Sequence, residues 1–311
     1  GHRVSRGFSS SGRYTPNYIV SSTYIKLLTE LVAVQKALDS AWRDTMTSRI
    51  IVLVKRQQEQ SDKTVETHAE RLRDREVAES VVVERYPDAT ERADLTVDYS
   101  ERDTEEVYVV PMVSAQTKGT QQAMTTMAEY IAGSATFCNP VGYSPFVTDI
   151  IVDRASEVVE PAADVSLILI SLGSSSLPYQ RRMLCYHRTR LLEQTAYGEV
   201  TISHLLQDPT VECARHNVSN EHTVAVPVFV SSNVTTREEI PQKLGVDSGN
   251  IDYTDPLGTH LRLTDAIQAE VAKQRAIRDQ RGKSDRPIFG MPSDDSHQPV
   301  TISRSTHGSK L

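Results

Sequence analysis

The sequence predicts an α/β protein of two tandem repeated lobes, each a small doubly wound parallel sheet, facing one another across a cleft. Three observations predict it. A stretch of about a hundred residues beginning near Ile50 recurs beginning near Leu167. Inside each copy, short β-rich runs alternate with helical patterns. Those runs are apolar on both alternations, which calls for parallel strands covered on both faces.

The repeat is visible by subtraction. Glu106-Val-Tyr-Val-Val-Pro111 aligns with His222-Thr-Val-Ala-Val-Pro227, and 227 minus 111 is an offset of 116. The same offset of 116 carries Asn139-Pro140-Val141-Gly142 onto Asp255-Pro256-Leu257-Gly258, and Val147-Thr148-Asp149-Ile150 onto Leu263-Thr264-Asp265-Ala266. Upstream the offset is 119, pairing Thr67-His68-Ala69-Glu70-Arg71-Leu72 with Tyr186-His187-Arg188-Thr189-Arg190-Leu191.

The elements follow in order. The first lobe offers a strand at Ile50–Val54, a helix near Lys63 to Arg75, and strands at Ser80–Glu84 and Val107–Val110 with a helix after them. The second offers Val165–Ile170, a helix near Arg181 to Thr195, Glu199–Ser203 and Thr223–Val226. Right-handed crossovers make each series a doubly wound lobe, whose ligands bind beyond the carboxyl ends of the strands. The loops after Val54, Val110, Ile170 and Val226 therefore gather the expected site.

The organisation expected is an N-terminal arm and extra helix over residues 1–47, lobes over 48–160 and 161–277, and a disordered tail over 278–311. The arm is Ser-rich without periodicity. Apolar residues at helical spacing from Tyr24 to about Thr45 predict the extra helix. From Arg278 onward Asp, Arg, Ser, Gly and Pro dominate, which predicts the tail. Each lobe is expected to be large enough to bury its own core.

With 311 residues, a net charge of -7 and a pI near 5.8, the chain does not fit a duplex-coating nucleic-acid binder. Its three cysteines, Cys138, Cys185 and Cys213, form no CxxC pair, so neither a disulfide framework nor a thiolate zinc site is expected. A reducing cytoplasm fits that usage. No apolar run approaches the ~20 residues that span a bilayer, so no membrane partner is expected. The sequons at Asn217 and Asn233 read as accidental without a secretory signal.

The loop Ser171-Leu172-Gly173-Ser174-Ser175-Ser176 precedes a helix, and supplies backbone and hydroxyl donors for an anion. The alternative is a strand-to-helix connection capped by serine. It lacks the Gly-Lys-Ser/Thr of a Walker loop.

Several strings together resemble the sirohydrochlorin cobaltochelatase family, of the CbiX type and class II chelatase architecture, in its fused two-lobe archaeal form. They are Thr67 to Asp74, Tyr108 to Met112, Val165 to Ile170 with Gly173 to Ser176, Asn217 to Asn220, Val224 to Pro227, Ile240-Pro241, and Asp255 to Gly258 through Thr264 to Ile267. The resemblance implies insertion of Co²⁺, as substrate metal and with no organic cofactor, into a carboxylate-rich tetrapyrrole in cobalamin biosynthesis. Such chemistry must hold the macrocycle, accept two pyrrole protons and deliver a divalent metal; imidazole suits the last two tasks. The family usually places one His in a Gly-His-Gly-Ser loop after the first strand and another in a Gly-x-His segment after the third. This chain has Leu172 and Thr235 there in the second lobe, and Lys55-Arg56-Gln57 and Ala115 to Gly119 in the first.

The resemblance and the remaining residues leave His260, His187 and Glu212 as catalytic and metal-ligating candidates, each weighed against a packing or surface role. Gly173, Ser174, Ser175, Arg181, Arg182 and Arg215 are candidate substrate-binding residues, since guanidinium suits the carboxylate arms of a macrocycle. His68 is the repeat mate of His187, and Ser144 that of His260. The expected partners are a sirohydrochlorin-like tetrapyrrole and a divalent metal, with the cleft formed within one monomer. The alternative is a non-catalytic tetrapyrrole-binding or carrier relative; a two-lobed small-ligand receptor of the periplasmic type fits less well, because the repeats are too short.

Overall fold

The computed structural model describes residues 49–56, 63–86, 106–130, 135–248 and 251–284. The expected N-terminal arm and extra helix lie outside them, as do residues 285–311 of the expected tail.

The first lobe runs β1 (Arg49–Arg56), α1 (Thr64–Asp74), β2 (Ser80–Tyr86), β3 (Glu106–Pro111), α2 (Lys118–Tyr130), β4 (Thr136–Phe137) and α3 (Pro145–Ser156). The second runs β5 (Val165–Ser171), α4 (Tyr179–Gln194), β6 (Glu199–His204), β7 (His222–Pro227), α5 (Ile240–Leu244, entered through a π turn at Thr235–Glu239), β8 (Asp252–Tyr253) and α6 (Leu261–Ser284). Both sheets are four-stranded, ordered β2-β1-β3-β4 and β6-β5-β7-β8, and every pairing is parallel. This is the α/β architecture of two repeated sheets that the strand patterns predict. The β4 and β8 strands, two residues each, carry too short a pattern to be seen in the sequence.

Every residue of β5 is buried, as are Val107 to Pro111 of β3. Central parallel strands have both faces covered, and the apolar runs reflect that. The two faces, however, belong to different cores. Ile51, Leu53, Tyr108 and Val110 of the first sheet join Leu167, Leu169, Val224 and Val226 of the second in one continuous cluster. The opposite faces form separate small cores, Val52, Val54, Val107 and Val109 with Ala123 and Met127 of α2, and Ile168, Ile170 and Ala225 with Ile240 and Leu244 of α5.

The lobes thus share their inner core, while each keeps a smaller outer core of its own. The physical reason lies in the last helix of each lobe. The α3 helix leaves the first sheet and packs on α4 and β7 of the second. The start of α6 is tied to the first lobe by His68 to Thr264, Arg75 to Asp265, and Glu270 to the backbone N–H of Asn139. Each sheet thus has its inner face closed by a helix whose apolar residues, such as Val147, Ile150 and Ile151, come from the other copy. Burying one such side chain contributes about 1.5–3 kcal/mol.

The described residues up to Val271 belong to one compact unit and those from Ala272 to Ser284 to a second. In the second, α6 continues through Arg278 to Ser284, where the composition predicts a tail. Its residues there, Arg278-Asp-Gln-Arg-Gly-Lys-Ser284, are mostly tolerated in a helix although they carry no apolar stripe.

Candidate functional site

The sequence places the site at the carboxyl edges of both sheets, and the edge of the second carries the Gly- and Ser-rich loop. There β5 ends on Ser171 and β6 on His204, and the two residues are register partners. Both side chains are fully buried. On the same face lie Leu169 with Ile202 and Leu167 with Val200, so Ser171 and His204 sit at the top of the shared inner core. The Ser171 hydroxyl and His204 Nδ1 are 2.8 Å apart. His204 Nε2 is buried and has no hydrogen-bond partner. Burial, reinforced by the nearby Arg181 guanidinium, holds the imidazole well below its usual value, at about 4.

The loop after β5 lies against that ring. Gly173 has φ +74, and a Cβ there would stand 2.7 Å from His204 Cβ. Glycine is needed both for the left-handed backbone and for the close approach. Ser174 donates its N–H to Gln207 Oε1 at 3.3 Å, while its hydroxyl accepts the N–H of Leu177 at 3.2 Å. Ser174 thus makes the capping turn that leads into α4. Ser175, Arg181 and Arg182 are exposed beside it.

The remaining sequence candidates are dispersed. His187, fully buried on α4, makes an interlobe contact. Its Nε2–H donates to the Gly142 carbonyl at 2.7 Å, and its Nδ1 accepts from Thr148 at 2.8 Å. Its mate His68 repeats the arrangement with Gly258 and Thr264. His260 starts α6, its Nδ1 accepting the N–H of Arg262 at 3.3 Å and its Nε2 lying 3.3 Å from Asp153. Its pKa is lowered by burial, against the pull of Asp153. Glu212 lies exposed on the turn Val211–Asn217, paired with Lys243 at 2.7 Å, which holds its carboxyl below the usual range. Arg215 donates to the Leu244 and Gly245 carbonyls that end α5.

Among the described residues, no three His, Cys, Asp or Glu side chains form a metal-holding group. The expected trio of His187, His260 and Glu212 is thus not assembled as one centre. The reason is structural: the two histidines serve different helices at the lobe junction, and Glu212 belongs to the outer face of the second sheet. His204 is the residue that sequence reasoning missed. Its only signal is an imidazole placed one residue past the expected strand Glu199–Ser203, at a carboxyl edge where ligands bind.

Burial of His187 pushes its pKa down to about 4, partly opposed by the Gly142 hydrogen bond. The unfolded chain then binds more protons than the folded one between about pH 6.5 and 4, so stability is full above that window and falls as pH drops through it. The expected loss from this residue is about 3 kcal/mol. Urea titrations at pH 7, 5.5 and 4.5 check it; a His187→Gln variant must show a shallower acid loss than the parent.

The two four-stranded parallel sheets flanked by helices share the α/β fold of solved chelatases. Residues 166–274 match the model of the CbiX family. The chain is 25% identical over 215 residues to a Halobacterium salinarum protein named "probable sirohydrochlorin cobaltochelatase", covering 56% of this chain and 72% of that one. SirB from Bacillus subtilis, solved with Fe³⁺, shares the fold at a TM-score of 0.60 and 17% identity, over 76% of this chain and 98% of SirB. A multi-domain protein from Deinococcus radiodurans, described as similar to chelatases with two additional novel domains, matches at a TM-score of 0.56 and 17% identity. That match covers 72% of this chain and 54% of the Deinococcus protein, so the chain spans about half of it.

Proposed function

We propose that this chain inserts Co²⁺ into a sirohydrochlorin-like tetrapyrrole, a metal-insertion lyase reaction of cobalamin biosynthesis. The observation that carries the reading is that the CbiX pattern, residues 166–274, covers the strands and loops of the carboxyl edge around Ser171, Gly173 and His204. Cobalt follows the name of the Halobacterium relative, and iron, seen with SirB, is the competing metal.

The chemistry asked of the edge is limited. A carboxylate-rich macrocycle needs cations and donors along its rim. Arg181 and Arg182, exposed on the first turn of α4, supply planar guanidinium groups for its carboxylates, and the Gly173 to Ser175 loop supplies N–H and O–H donors. Metal entry requires the two pyrrole protons to leave, and His260, partly exposed beside Asp153, is the candidate acceptor. Glu212, His187 and Arg215 have their partners within the fold, so a part for them in the reaction requires those contacts to be exchanged.

The test is the absorption spectrum of sirohydrochlorin with the purified protein, with Co²⁺ or Fe²⁺ or neither, against metal-only controls and a His260→Ala variant. The expected result is protein-accelerated conversion to the cobalt form, lowered by the substitution. A bound-ligand spectral shift without acceleration would instead make this chain a tetrapyrrole-binding relative. That second outcome has one observation in its favour: leucine and threonine stand at 172 and 235, where the resembling family carries histidine.

A further inference from the structure

We infer that His204 is a ligand for the incoming divalent metal, presented from beneath the loop after β5 and oriented by Ser171. The inference rests on the metal-insertion reading for the role of that metal, and on the geometry for the ligand.

A fully buried imidazole ordinarily has both ring nitrogens satisfied, as His187 and His68 do in this molecule. His204 is the departure. Its Nδ1 meets the Ser171 hydroxyl at 2.8 Å, and its Nε2 is buried with no partner at all. One ring nitrogen anchored and the other left open is the arrangement of an imidazole that ligates a metal, where the anchoring contact fixes tautomer and ring orientation. With Nδ1–H donated to Ser171, the lone pair resides on Nε2.

The cover over the ring is the loop after β5. Gly173 lies directly on it; Leu172 accepts the Leu206 N–H at 2.9 Å, and the Ser174 N–H makes a longer bond of 3.3 Å to Gln207 Oε1. Gly173 and Ser174 must move aside for a metal to reach Nε2. Among the described residues His204 belongs to no group of three or more His, Cys, Asp or Glu that could hold a metal. A single imidazole leaves the remaining coordination positions to water and then to the pyrrole nitrogens, which suits a metal that must be passed on rather than kept.

The experiment measures Co²⁺ alone, without tetrapyrrole, binding to the full chain and to a His204→Gln variant, both carrying His216→Ala and His222→Ala to remove exposed imidazoles. The expected result is at least tenfold weaker Co²⁺ binding in the variant, with the melting temperature and sirohydrochlorin binding retained. Unchanged Co²⁺ affinity overturns the inference. Should His204→Gln fail to fold, paramagnetic broadening of the Gly173 and Ser174 amides by Co²⁺ in the parent protein decides it: broadening there supports the site, and broadening elsewhere or nowhere overturns it. Co²⁺ bound at His204 in a protein that does not metallate sirohydrochlorin would sink the proposed reaction and leave this site standing.

Discussion

Replacing His187 with alanine is expected to destabilise the chain by about 3–5 kcal/mol. Two effects add. The truncation empties a fully buried position in the core shared by the two sheets, and it strands two polar partners, the Gly142 carbonyl and the Thr148 hydroxyl. Thr148 already accepts from Arg190 Nε at 3.1 Å, so its own O–H needs the imidazole as acceptor. His187→Gln, which can still donate toward Gly142, should lose less. Urea unfolding of the parent and both variants checks this. An alanine variant within about 1 kcal/mol of the parent would show that the contact between the lobes is not held by this residue.

Gly142→Ala is the second large effect. A Cβ at this position would stand 1.9 Å from the Ser114 carbonyl oxygen and 2.6 Å from Ser114 Cα, and both are backbone atoms that cannot swing aside. The chain must move, and Gly142 is also the acceptor for His187. A loss of about 3 kcal/mol, or failure to accumulate as soluble protein, is expected. The control is Gly119→Ala near the start of α2, where the nearest atom lies 3.9 Å away; alanine there should leave stability unchanged or raise it slightly. Equal denaturation midpoints for the two variants would contradict the packing described around Ser114.

These two sites belong to one device. Gly142 and His187 have the mates Gly258 and His68, so each lobe grips the other's closing helix through an imidazole on its own first helix. The sequence shows His68 and His187 as equivalent positions on helices. It does not show that each reaches a carbonyl in the other copy, because helical spacing reports which face of a helix is buried and not which element buries it. For that reason His187 reads equally well as a ligand or an interface residue until its neighbours are known.

The candidate site divides in the same way. The loop from Ser171 to Ser176 and the arginines at the start of α4 are legible, since glycine and serine between an apolar strand and a helix mark a carboxyl-edge connection. His204 is not. It follows a run of only five strand residues, and its significance depends on the β5–β6 register that sets it opposite Ser171. Glu212 and His260 illustrate the converse: both have the residue type for metal chemistry, yet one is paired with Lys243 and the other starts a helix beside Asp153.

The sequence by itself determined the fold class and the order of the three longer strands and the first helix in each lobe, because strand and helix periodicity are local properties of the chain. The tertiary structure alone decided that the closing helices cross to the opposite copy, that the two inner faces make one core, and that His204 rather than His187 carries an unpaired imidazole nitrogen. Those outcomes depend on contacts between residues 39 to 196 positions apart or on strand register, and hydrophobic patterning specifies that a surface is buried without naming its partner.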